Sequence, residues 1–254
     1  MKKILLLLII SLSIEVHAQK ALYLGGSFGL GSSITKVDYD NSTDTRLKGL
    51  MGFTSPMGLS ITYGINNRFS FSTQFHRVSK LLRVGYGGKY DRGVLYVNKK
   101  NNTWSMAFST TYHLPISKTK KTFLTPSIGF SWDFHDDNYG DAGGAVGDII
   151  DNDTIDAESC SDSYMFFNRS NNSLRLGLGF EKILKNNSTL NIGFIYSYSL
   201  KRVLEGKYKY WEGYYIADGQ TTSILPTEEY KYYSNGSYMA VTITYLFRIW
   251  KPKE

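Results

Sequence analysis

The segment Leu190-Asn-Ile-Gly-Phe-Ile-Tyr-Ser-Tyr-Ser-Leu200 puts large apolar or aromatic residues at even positions and, Ile195 apart, Asn, Gly and Ser at odd ones. A period of two belongs to a β-strand with two unlike faces. Seven further stretches share the rhythm, giving strands over Leu22–Ile34, Gly52–Ile65, Arg68–Ser79, Thr103–Leu114, Phe123–Phe134, Ser173–Leu184, Thr189–Leu200 and Ser237–Trp250. Each exceeds the roughly 9–11 residues that a tilted strand needs to cross a bilayer. A soluble sheet turns its large residues inward. A membrane barrel turns them outward and fills its lumen with small polar ones. An all-β chain with these small polar faces is therefore expected to be a transmembrane, antiparallel, up-and-down β-barrel of eight strands.

The connections carry a second pattern. Asn66-Asn67, Ser117–Lys121 and Lys185–Ser188 are short and rich in turn residues, whereas 35–51, 80–102, 135–172 and 201–236 are long. Short and long connections alternate, as expected of tight periplasmic turns and large external loops, and an even strand count puts both termini in the periplasm. Two loops read as continued strand. Leu81–Tyr86 and Val94–Val97 flank Gly87-Gly88, and Lys207–Tyr210 faces Glu229–Tyr232. They are expected to project as paired ribbons; a ten-strand barrel that absorbs one of them is the alternative.

Lys2-Lys3, the apolar run Ile4–Ile10 and Val16-His17-Ala18 have the form of a secretory signal covering residues 1–18, which leaves 19–254 as one barrel domain. The apolar run is too short for a spanning helix. Glycine (24) and tyrosine (20) are abundant, proline (5) is scarce, and the single Cys160 excludes an internal disulfide or a Cys-based metal site. The net charge of +7 conceals an asymmetry, since 133–168 holds nine Asp, one Glu and no Lys or Arg. In an exported barrel the surplus bases suit lipid phosphates and lipopolysaccharide rather than nucleic acid.

With its signal, alternation, loop asymmetry and aromatic last strand Tyr238–Trp250, the mature chain resembles the small eight-stranded outer-membrane barrels typified by OmpX and the barrel half of OmpA, in the form common in Bacteroidota. The resemblance implies residence in the outer membrane of a Gram-negative bacterium and says little about activity.

A barrel of eight strands is just wide enough for its own side chains. The inward positions include Gln74, His76, His113, Asp133, Arg175, Glu181, Asn191 and Arg248. Asp133 with Arg175, and Glu181 with Arg248, are the expected lumen ion pairs, because buried charges need compensation. No catalytic motif stands out. A lipid-modifying enzyme, an acyltransferase or deacylase acting on lipid A, would need Ser and His together near the outer leaflet, and His76 with Ser79 or Ser105 is the available pair. His135 beside Asp136 and Asp137 is a weaker match to a water-activating site. In the acidic third loop, Asp151, Asp153 and Asp156 are candidate Ca²⁺ ligands without the spacing of an EF-hand, and Asp153-Thr154-Ile155 resembles an O-glycosylation signal at Thr154. No cofactor is implied. That loop is expected to stay mobile or to be ordered by a cation, a partner or the neighbouring basic ribbons, because its acids repel and its apolar residues are few. The expected function is a non-enzymatic barrel whose external loops make contacts: adhesion, surface protection or docking to a larger outer-membrane complex. A lipid-modifying enzyme is the alternative, and a narrow passive pore the third.

Overall fold

The computed structural model describes residues 21–34, 36–38, 47–87, 94–119, 121–135, 139–149, 154–166, 170–216, 221–223 and 228–251. Eight strands form the wall: β1 (Ala21–Ile34), β3 (Leu47–Gly64), β4 (Phe69–Gly87), β5 (Val94–Tyr112), β7 (Thr122–His135), β10 (Ser170–Ile183), β11 (Thr189–Ser199) and β15 (Tyr238–Trp250). Each pairs antiparallel with its neighbours in the chain, and β1–β15 pairing closes the sheet into a barrel. The stub β6 (Leu114–Pro115) continues β5 beyond His113. The wall has eight strands and not ten, because the second-loop ribbon only lengthens β4 and β5 and the fourth-loop ribbon belongs to a separate sheet.

The two-residue period becomes two faces. Leu24, Phe28 and Leu30 of β1, Ile128, Phe130, Trp132 and Phe134 of β7, Leu174, Leu176, Leu178 and Phe180 of β10, and Val241, Ile243, Phe247 and Ile249 of β15 all lie exposed. An apolar belt that encircles a molecule has no aqueous explanation, since soluble surfaces rarely expose contiguous patches of more than a few hundred Å². It fits a lipid bilayer. Aromatic side chains reinforce one another there: Phe108 stacks on Phe130 at 5.3 Å, and Phe75 on Trp104 at 5.3 Å. Trp104, Trp132 and Tyr198 mark the long-loop edge of the belt, and Tyr63 and Trp250 the short-turn edge.

Side chains close the short turns. Asn66 Oδ1 accepts the backbone N–H groups of Arg68 and Phe69, both at 2.8 Å. Ser117 Oγ accepts those of Lys121 and Thr122 at 3.3 and 3.2 Å. Asn187 adopts a left-handed φ of 61°, which Asn tolerates better than most residues.

Beyond the long-loop end stands a second antiparallel sheet. Its strands are β2 (Lys36–Asp38), β8 (Tyr139–Ile149), β9 (Thr154–Phe166), β12 (Leu204–Ile216), β13 (Thr221–Ser223) and β14 (Glu228–Ser234), in the order β2-β14-β12-β9-β8 with β13 beside β12. The expected fourth-loop ribbon is present, with Lys207 opposite Lys231 and Lys209 opposite Glu229. The second-loop ribbon is a direct extension of β4 and β5, which run 19 residues each to the Gly87–Val94 pair.

The acidic third loop departs from expectation. It is a β-hairpin, β8–β9, and β9 adds to β12 with Leu204 opposite Phe166 and Ile216 opposite Thr154. Main-chain pairing along thirteen residues organises a segment whose apolar content is too low to do so. Of the outcomes foreseen, the loop takes the one in which it lies against its basic neighbour, and it does so as a strand.

The two sheets join through a buried seam in which Val203, Leu204 and Tyr232 are almost wholly covered. Gly206 is required there, because a Cβ would run into the ring of its cross-strand partner Tyr232.

Candidate functional site in the barrel lumen

Inward-facing side chains divide the lumen into three levels. At the long-loop end, Lys80 is buried with 2% of its surface exposed, donates from Nζ to the Gly236 carbonyl at 2.7 Å, and lies 5.2 Å from the Tyr238 ring centroid. Thr103 Oγ1 donates to Asn101 Oδ1 at 2.8 Å and sits 3.0 Å from His135 Nδ1, which is 3.3 Å from the same Asn101 oxygen. The segment entering β15 folds into this mouth, and Asn171 Nδ2 donates to the carbonyls of Lys201 and Asn235. These contacts form a stopper of backbone and polar side chains.

Below it, Val78, Tyr238 and Ala240 pack together with Ile195 as a small apolar layer. Asp133 lies buried at this height. Its carboxylate accepts from Ser131 Oγ at 3.0 Å and from Ser173 Oγ. Arg175 points elsewhere, with Nη1 donating to Gln74 Oε1 at 3.2 Å and standing 3.5 Å from His76 Nδ1. The expected Asp133–Arg175 pair is therefore not made. The register explains the separation: Asp133 stands opposite Asn171, whereas Arg175 stands opposite Gly129, four residues or about 13 Å further along β7.

His76 Nε2 lies 3.0 Å from Ser27 Oγ. With an arginine donor at Nδ1, Nε2 carries the proton and gives it to the serine, so this imidazole cannot act as a base toward Ser27. Ser105 is the cross-strand partner of His76 and buried with it, while Ser79 has the opposite parity. Neither forms a site with His76 toward the lipid.

At the short-turn end the chemistry differs. His113 Nδ1 contacts Glu181 Oε1 at 3.2 Å, and His113 Nε2 contacts Ser70 Oγ at 2.8 Å. This arrangement is not legible in the linear sequence, where Ser70, His113 and Glu181 are dispersed over three strands. Glu181 is thus given to His113 and not to Arg248, which sits opposite Tyr23 on β1. All three residues border a cavity of about 110 Å³ lined with hydroxyls, among them Thr62, Ser72, Thr111 and Thr125. A water needs on the order of 10–15 Å³ by this measure, so the cavity suits a few waters or one small molecule.

A small inner cavity below a filled outer half is not a passage. Reconstituted protein is expected to show no steady single-channel current in planar bilayers. A large, stable conductance would overturn the reading of the stopper.

The signal, residues 1–18, lies outside the described residues, as do Asp136, Asp137, Asp151 and Asp153. Thr154 opens β9, and Asp156 stands opposite Asp148 on β8 and Tyr214 on β12.

No family model and no curated relative matches the sequence. Among solved structures, the chain is similar to the outer membrane protein OprG from Pseudomonas aeruginosa, with a TM-score of 0.49, 12% identity, and coverage of 91% of this chain and 97% of that one. It is also similar to the outer membrane protein AlkL determined in DMPC bilayers, with a TM-score of 0.43, 10% identity and coverage of 94% and 96%. The outer membrane protease OmpT from Escherichia coli follows at 0.36, 7%, 90% and 97%. These neighbours are outer-membrane barrels, and likeness this distant carries no argument about activity.

Proposed function

We propose that this chain is an outer-membrane barrel of a Gram-negative bacterium whose work at the cell surface is contact, made by the second sheet, with both termini in the periplasm. The observation that carries the reading is the contrast between a lumen stopped at Lys80, Gly236 and Asn171 and three long loops gathered into one six-stranded sheet. A chain that only needed to plug a membrane hole would have no use for that sheet. Among the described residues, β8 pairs with β9 on one side alone, so its main chain offers an open edge of the kind that receives an added strand. Arg77, exposed 6.0 Å from the Trp104 ring at the outer edge of the belt, suits a lipopolysaccharide phosphate. Adhesion, surface protection and docking to a larger membrane complex all use such a surface; Ca²⁺ at Asp151, Asp153 and Asp156, or a glycan at Thr154, would modify it.

The test is to replace residues 139–166 by a short turn and to crosslink intact cells with an amine-reactive reagent. The shortened barrel should keep the heat-sensitive gel mobility of a folded barrel and lose the high-mass crosslinked species of the full chain. Retention of every crosslinked species would place the contact elsewhere. Cleavage at Lys118–Lys121 by protease added to sealed cells would invert the orientation.

A further inference from the structure

Beyond surface contact, we propose that Ser70, His113 and Glu181 form a nucleophilic site at the short-turn end of the lumen that cleaves short-chain carboxylic esters. Three features carry the inference. The first is connectivity: serine hydroxyl to Nε2 at 2.8 Å, and Nδ1 to a carboxylate oxygen at 3.2 Å, in one line. A carboxylate at Nδ1 fixes the proton there and leaves the Nε2 lone pair facing the serine, which is the tautomer a general base requires. The other two described histidines do not offer this. His76 has Arg175 at Nδ1, and His135 Nδ1 faces Asn101 and Thr103 within the stopper.

The second feature is space. Ser70, His113 and Glu181 all border the 110 Å³ cavity, and the His113 and Glu181 side chains keep 14% and 12% of their surface accessible. The volume accepts an acetyl-sized group.

The third is anchorage. Ser70 is held opposite Gly64 and Thr111, and the backbone N–H of His113 donates to the Arg68 carbonyl at 2.6 Å. The T-shaped contact of the imidazole with Phe123, 5.9 Å between centroids, sets its plane. Ser70 and Glu181 therefore sit on strands of the wall, and His113 at the break between β5 and β6.

The reaction balances without a further reagent. Ser70 Oγ attacks the ester carbonyl as its proton passes to His113 Nε2. The carbonyl–alkoxy bond then breaks, and the leaving alkoxide takes that proton. Water attacks the acyl-serine by the same route, releasing the carboxylic acid and restoring the hydroxyl. Charge on the intermediate falls to hydroxyls of the lining, where Thr62 Oγ1 and Ser72 Oγ are 2.8 Å apart. Hydroxyls are a weaker substitute for backbone N–H donors, so the acyl-serine should form more readily than it turns over.

The test is acylation. The folded full chain in detergent is treated with p-nitrophenyl acetate or with a small fluorophosphonate, and the adduct is located by peptide mass spectrometry. A single adduct on Ser70 is expected. It should vanish in Ser70→Ala, form about 10²–10⁴-fold more slowly in His113→Gln, and persist in Ser79→Ala, a hydroxyl of opposite parity on the same strand and away from the cavity. Glu181→Gln should slow it at unchanged gel mobility of the folded barrel, which separates loss of chemistry from loss of fold. An unmodified Ser70, or modification at equal rates in the folded wild-type and His113→Gln proteins, would overturn the proposal.

Discussion

Phe130→Arg should cost the folded barrel about 2–4 kcal/mol in a denaturant titration from lipid vesicles, the range for a cation placed on the lipid face near the bilayer midplane. Phe130 is 48% exposed on β7, on the face turned to lipid. It stacks on Phe108 at 5.3 Å and meets Trp132 edge-on at 5.8 Å, so the substitution also removes aromatic contacts worth roughly 0.5–1.5 kcal/mol each. Ser127→Thr, on the lumen side of the same strand and beside the cavity, should cost under about 1 kcal/mol because space exists for one methyl group. Ser131 was an equally good control by parity alone. The structure makes it a worse one, since its hydroxyl is buried and donates to Asp133. Equal tolerance of Phe130→Arg and Ser127→Thr would show that β7 does not present the assigned face to lipid.

The wall was readable because its chemistry is periodic. Every second residue of Ile128–Phe134 meets lipid, and the bilayer asks the same of all eight strands, so one rule recurs through the chain. The turns were readable because Asn66, Ser117 and Asn187 act locally, within a few residues of their own position. The third loop was not. Tyr139–Ile149 is Gly-rich and acidic, with neither a strand's alternation nor a strand's propensities. What organises it is main-chain pairing, of Tyr139–Ile149 with β9 and of β9 in turn with the distant β12, and pairing leaves no trace in side-chain identity.

The lumen was half readable. Parity identified which side chains point inward, including Asp133, Arg175, Glu181 and His113, but not which of them meet. Partners in a barrel depend on register across several strands, and a four-residue offset separates Asp133 from Arg175. Lys80 opens the long 80–102 connection in the sequence, although its even number continues the inward series Ser72, Gln74, His76 and Val78. Treating the strand as ending at Ser79 hid a buried cation; following the parity one step further would have found it. His113 has no partner that parity alone identifies, for the same reason that Glu181 reads as the partner of Arg248. Nothing in sequence order shows that β4, β5 and β10 bring Ser70, His113 and Glu181 within hydrogen-bonding distance.

That buried cation sets up the second large effect. Lys80 is enclosed at the outer mouth, and the carboxylate whose field acts on it most is Asp133, which is itself buried among Ser131, Ser173 and Ser105. Lys80, Arg175 and Arg248 face the lumen against Asp133 and Glu181, and Glu181 is engaged by His113 at the far end. Asp133 is therefore the anion on which the outer mouth depends. Asp133→Asn preserves the size and much of the hydrogen bonding but leaves Lys80 buried without that counter-charge; the two make no direct ion pair, so the cost should fall below the roughly 3–5 kcal/mol of breaking a buried contact pair. Lys80→Met should be costly for the complementary reason and also releases the Gly236 carbonyl that holds the stopper in place. The double variant removes both charges and leaves neither uncompensated, so its cost should fall short of the sum by about 1–3 kcal/mol. Additive costs, agreeing to within roughly 0.5 kcal/mol in the same folding titration, would mean that the charges act independently. The stopper would then owe its stability to the hydrogen bonds of Asn171, Asn101 and Thr103 alone.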